Sequence, residues 1–77
     1  MGMYYIGTKK ENEMAIESTV KSFDTKEELV QYYKDIMYDF DHFRFGKEIN
    51  NWVYWQEWDE IRTYPVDIFE TEIGWRL

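Results

Sequence analysis

The chain has no cysteine, one histidine, one proline and four glycines among its 77 residues. Without cysteine there is neither a disulfide nor a thiolate zinc site. His42 by itself offers too little for a transition-metal centre, so no metal and no other cofactor is expected. A nucleophile needs an activating base and a group that orients that base. Only Ser18 or Ser22 with His42 could be assembled, and nothing beside either serine marks it. The segment Asp39-Phe40-Asp41-His42 opens like a calcium loop, but Phe43 and Arg44 stand where an oxygen ligand and a glycine are required. The glycines are scattered, which excludes a phosphate-cradling loop. No apolar run approaches the ~20 residues of a membrane span. No basic segment leads into a hydrophobic one as in a secretory leader. Ile6 lacks the hydroxyl that myristoylation at Gly2 would require at that position. Met3 is an alternative natural start. The expectation is a non-catalytic cytoplasmic protein with no membrane contact.

Positive charge is also scarce: nine Lys and Arg face sixteen Asp and Glu, a net charge of −7. Phosphate binding demands cations, so direct nucleic-acid binding is unfavourable. Stacking bases on tryptophan would still need a basic groove to hold the backbone. The charge is uneven. Residues 1–34 hold six acids against five lysines, and residues 35–77 hold ten acids against Arg44, Lys47, Arg62 and Arg76, so the second part carries −6 of the total.

What is abundant is aromatic surface, 21% of the chain. A domain this short buries only about 60% of its unfolded surface, and small folds tend to need a staple or a partner. With disulfides and metals excluded, dense aromatic packing or a second chain must serve. The whole chain, 1–77, reads as a single domain.

Met3–Thr8 is β-prone and pairs with residues 13–22 in an expected hairpin. The helix signal is stronger. Asp24 or Thr25 can cap it, Glu27 and Glu28 occupy the first turn, and Thr25 with Glu28 fits a capping box. Leu29, Tyr33, Ile36, Met37 and Phe40 then recur at helical spacing and predict a helix at about 25–41. Glu28, Asp35 and Asp39 form a line along its opposite flank. Gly46 is expected to turn the chain after the helix.

The stretch Trp52-Val53-Tyr54-Trp55-Gln56-Glu57-Trp58 reads as a strand with apolar residues on both faces, which implies cover on both sides. As a helix, its tryptophans would spread over one broad face, so both readings stay open. On the strand reading the same chain's helix supplies one cover and a second copy the other, making Trp52, Val53, Tyr54 and Trp55 the expected homodimer interface. Pro65 belongs at an edge or at the start of a strand, and Val66, Ile68 and Phe69 suggest a last short strand. The expected architecture is α+β, one mainly antiparallel sheet in ββαββ order packed against a single main helix.

Size, acidity, absence of cysteine and aromatic richness together resemble the small acidic proteins by which bacteriophages disable host factors. Among these are DNA mimics directed at restriction enzymes, uracil-DNA glycosylase and nucleoid-associated HU proteins. The resemblance is one of profile, with no shared motif. It implies an inhibitor that occupies the DNA-binding surface of a basic host protein, with HU as a candidate, in the host bacterial cytoplasm. The acids available for such a face are Glu28, Asp35, Asp39 and Asp41 around the helix, with Glu57, Asp59, Glu60, Asp67, Glu70 and Glu72 in the C-terminal part. The alternative is a protein- or ligand-binding module with an aromatic groove around Trp52–Trp58, the acidity then serving only solubility.

Overall fold

A computed structural model of the chain describes residues 2–11, 16–57 and 59–73. Tyr4–Glu11 (β1) and Ile16–Phe23 (β2) form the expected antiparallel hairpin, with Tyr4 opposite Phe23 and Glu11 opposite Ile16. The helix α1 follows at Lys26–Ile36, with Thr25 as its N-cap. The Thr25 hydroxyl accepts from the Glu28 N–H at 3.2 Å, which satisfies one of the free amides of the first turn.

α1 is shorter than the 25–41 expected, because the chain leaves it to reach the sheet. The Asp39 N–H donates to the Ile36 carbonyl at 2.9 Å, and the Asp41 N–H donates to the Lys9 carbonyl of β1 at 2.9 Å. These bonds close the last turn and deliver the chain into a further strand, β3, at His42–Ile49. β3 pairs antiparallel with β1 and with Trp52–Glu57 (β4).

Gly46 is therefore no turn residue; it lies within β3, and no glycine among the described residues has a positive φ. Asn50 (φ 50°) and Asn51 (φ 67°) make the turn instead. Two consecutive left-handed residues match the twist of a two-residue hairpin, and Asn tolerates that conformation better than most side chains. The requirement for glycine at 46 is one of space: a Cβ there would lie 2.6 Å from the Trp55 ring.

Glu60–Pro65 (β5) completes the sheet as an edge strand, and Pro65 closes this strand where it was expected to precede one. The strand expected after it is a helix, α2, at Val66–Ile73. Val66, Phe69 and Ile73 recur at helical spacing. Val66 and Phe69, three residues apart, pack into one cluster, which a helix permits, whereas in a strand they would face opposite ways.

The result is an antiparallel five-stranded sheet in the order β2-β1-β3-β4-β5 with two short helices, ββαβββα rather than ββαββ. The helices lie on opposite faces. On one face Phe69 of α2 meets Tyr5 (4.8 Å between ring centres), Trp55 (5.2 Å) and Tyr64 (5.9 Å), and Val53 completes the cluster. On the other, α1 lies over β1, β2 and β3. Tyr32 packs on Phe23 at 5.2 Å, Tyr33 on Phe43 at 4.9 Å, and Leu29 and Ile6 are buried.

Candidate functional site

Side chains opposite one another across antiparallel strands share a face. The pairings Gly46–Trp55 and Trp55–Arg62 put Trp55 on the α2 face, and Lys47–Tyr54 and Tyr54–Thr63 put Tyr54 on the α1 face. Val53 and Trp55 are wholly buried under α2, so they cannot belong to an interface, and the expected dimer set loses both. The cover over them comes from α2 and not from the main helix. Trp52 and Tyr54 point the other way, beyond the reach of α1, and remain half-exposed.

They are not isolated there. Phe45 and Ile49 of β3 and Ile61 of β5 share their face through the same alternation, and exposures of 40, 44 and 62% show that nothing covers them fully. An open groove of about 250 Å³ runs among Phe45, Lys47, Tyr54, Gln56 and Ile61. Lys47, between Phe45 and Ile49 on β3 and opposite Tyr54, lies within this surface, over the Tyr4 ring at 5.3 Å. Sequence reasoning missed Phe45, Ile49 and Ile61. The signal was present as the alternation of Phe43, Phe45 and Lys47 with Arg44, Gly46 and Glu48, but Gly46 had been assigned to a turn.

The seven acids of the expected set whose side chains are described do not form one face. Glu28 and Asp35 are exposed on α1, about 10 Å apart along the axis at 1.5 Å per residue. Asp35 accepts from the Gln31 amide at 3.1 Å. Asp39 and Asp41 are exposed in the segment that follows α1, so Asp39 leaves the helical line that the longer helix would have given it. Asp59 and Glu60 sit at the β4–β5 turn, where Glu60 is paired with Arg62 at 2.7 Å. Asp67 is exposed in the first turn of α2, on the far side of the sheet from α1. The side chains of Glu57, Glu70 and Glu72 lie outside the described residues. The structure thus gathers Glu28, Asp35, Asp39 and Asp41 along α1 and its end, and separates them from Asp67.

α1 is charged differently on its two flanks. Tyr32, on one side of Leu29, contacts β2, and Tyr33, on the other, contacts Phe43 and Phe45 of β3. At 100° per residue Glu28 and Asp35 fall on the β2 side. Lys26, Val30 and Lys34 fall on the β3 side, above the uncovered aromatic surface. All five are exposed.

His42 and Ser18 lie on one rung of the sheet, each opposite Lys9. Strands are spaced about 4.8 Å apart, which sets the two roughly 10 Å from each other, beyond the reach of a nucleophile and its base. Among the described residues no group of three or more His, Asp or Glu gathers to hold a metal ion, and no helix is long and apolar enough to cross a membrane. No family model, no curated protein and no solved structure matches the chain.

Proposed function

We propose that the chain is a non-catalytic binding protein that offers the acidic flank of α1 to a basic DNA-binding protein in the bacterial cytoplasm, and so inhibits it as a DNA mimic. An HU-type nucleoid protein is the candidate partner, on the strength of the resemblance in size and composition. The observation that carries the reading is the sorting of charge on α1. Glu28 and Asp35 occupy one side and Lys26 and Lys34 the other, with Glu27 on the outward line beside Lys34 and Asp39 and Asp41 in the segment beyond the helix. Carboxylates about 10 Å apart on a rigid helix span about three 3.4 Å steps of one DNA strand. A groove built for phosphates gains by releasing counterions to either array.

The test is binding of the purified partner at two salt concentrations. Affinity should fall steeply with salt, and duplex DNA should compete. The triple substitution Glu28→Gln, Asp35→Asn, Asp39→Asn should weaken binding about tenfold or more, equivalent to about 1.4 kcal/mol, with the circular dichroism unchanged. Equal affinity at low and high salt would refute the mimicry.

A second reading is favoured by the exposed aromatic face, which suits a protein surface. A small-molecule site is less well supported, because the groove of about 250 Å³ is open and falls below the ~300–1,000 Å³ of typical ligand pockets.

A further inference from the structure

Because each helix covers only part of one face, each face of the sheet keeps an uncovered half, and the two halves differ in chemistry. On the α2 face the uncovered half, over β2, β1 and the start of β3, presents Lys9, Ser18, Ser22 and Arg44, as a solvated surface should. On the α1 face the uncovered half, over β3, β4 and β5, presents Phe45, Ile49, Trp52, Tyr54 and Ile61, with Lys47, Gln56 and Thr63 among them. From these observations we infer that a second copy of this chain docks on that aromatic half, forming a two-fold dimer whose axis runs parallel to the strands.

Three observations select this occupant. The first is area. The exposed fractions of the five residues, applied to side-chain areas of about 150–250 Å² each, leave roughly 500 Å² of mostly apolar surface. A standard interface buries about 800 Å² per partner, of which about 65% is apolar in homodimers, so it asks for roughly the same amount.

The second is shape. α1 stands above the sheet beside the uncovered half, so the molecule is stepped. A two-fold axis along the strands lays one uncovered half on the other, and the helix of each copy then drops beside the β5 edge of its partner. An in-plane axis across the strands would drive helix into helix. The arrangement also covers β5, an edge strand among the described residues, and edges are where further strand pairing occurs.

The third is charge. The flank of α1 that would meet that edge carries Lys26 and Lys34, and the turn into β5 carries Asp59 and Glu60, of which Glu60 is paired with Arg62 of the same strand. α1 starts at the Phe23 end of the sheet and finishes at the Lys9 end. β5 starts at that same Lys9 end. An axis along the strands preserves height, so Lys34, in the last turn of α1, comes level with the Asp59–Glu60 turn of the second copy. The acidic flanks of both helices stay outside the contact, at opposite ends of the dimer.

The experiment is sedimentation equilibrium of the full chain across the micromolar range. Wild type should approach twice the 9.6 kDa mass of one chain. Ile61→Lys should raise the dimer Kd at least about tenfold, as expected for a charge placed in the apolar centre of a contact. Lys34→Glu and Asp59→Lys should each weaken the dimer about threefold to tenfold, and the double substitution should recover it to within about twofold, because the swap restores attraction between chains. This recovery keeps the proposal testable if Ile61→Lys does not fold. Three outcomes overturn it: a wild-type monomer throughout, whether or not another protein then binds the aromatic face; a dimer indifferent to Ile61→Lys; or charge-swap losses that merely add. The inference is independent of the mimicry. The Glu28, Asp35 and Asp39 variant should keep the dimer mass, so loss of partner binding in it speaks to the acidic flank alone.

Discussion

Gly46 shows how one residue can shape the functional surface. Its missing side chain lets the Trp55 indole lie against the β3 backbone, where a Cβ would come within 2.6 Å of the ring and 3.1 Å of the Tyr54 carbonyl oxygen. Both neighbours are held: Trp55 is fully buried against Phe69, and the Tyr54 carbonyl belongs to the sheet. Gly46→Ala should therefore overpack the core and cost about 1–3 kcal/mol. A lower urea midpoint at an unchanged slope would register the loss. In sequence, this glycine was indistinguishable from a turn residue. Positive φ and close approach both call for glycine, and only the ring on the neighbouring strand tells which applies. Misplacing it hid β3, and with β3 went Phe45 and Ile49 as members of the exposed face.

α1 illustrates what local chemistry specifies at the scale of an element. Its start was legible, since Thr25 caps it and accepts from the Glu28 N–H, and Glu27 and Glu28 complement the helix dipole. Its end was not. Met37 and Phe40 continue the apolar spacing, yet the backbone bonds Asp39 to Ile36 and Asp41 to Lys9 win, because they bring β3 onto β1. Phe40 still joins the aromatic cluster, 6.4 Å from Phe43, but from beyond the helix. Thr25→Ala should cost about 1 kcal/mol. Amide exchange should show protection lost first in α1, with Thr25→Ser close to wild type, because an opening that frays one end is local before it is global. α2 was misread for the complementary reason. Over eight residues an apolar set at 66, 68 and 69 fits either period, and only the burial of Phe69 among Tyr5, Trp55 and Tyr64 decides for the helix.

Across the whole molecule, the placement of two helices on opposite faces decides what the surface can do. It covers Val53 and Trp55, leaves Trp52 and Tyr54 half-open, and parts the acids of α1 from Asp67 of α2. If the aromatic half is closed by a second copy, folding and association are linked, and thermal stability should rise with protein concentration. A melting temperature that stays constant over a hundredfold range of wild-type concentration would contradict that linkage, and Ile61→Lys should remove the dependence where wild type shows it. The amino-acid sequence by itself determined the β1–β2 hairpin, the capped start of α1, the edge position of Pro65, the absence of cysteine chemistry and the excess of acid in the C-terminal part. Each of these follows from composition or from neighbours a few residues apart. Only the tertiary structure decided that β3 exists, that residues 66–73 are helical, and which faces of β4 are covered. Those outcomes depend on contacts between residues far apart in the chain, where burial of one ring against another outweighs local preference.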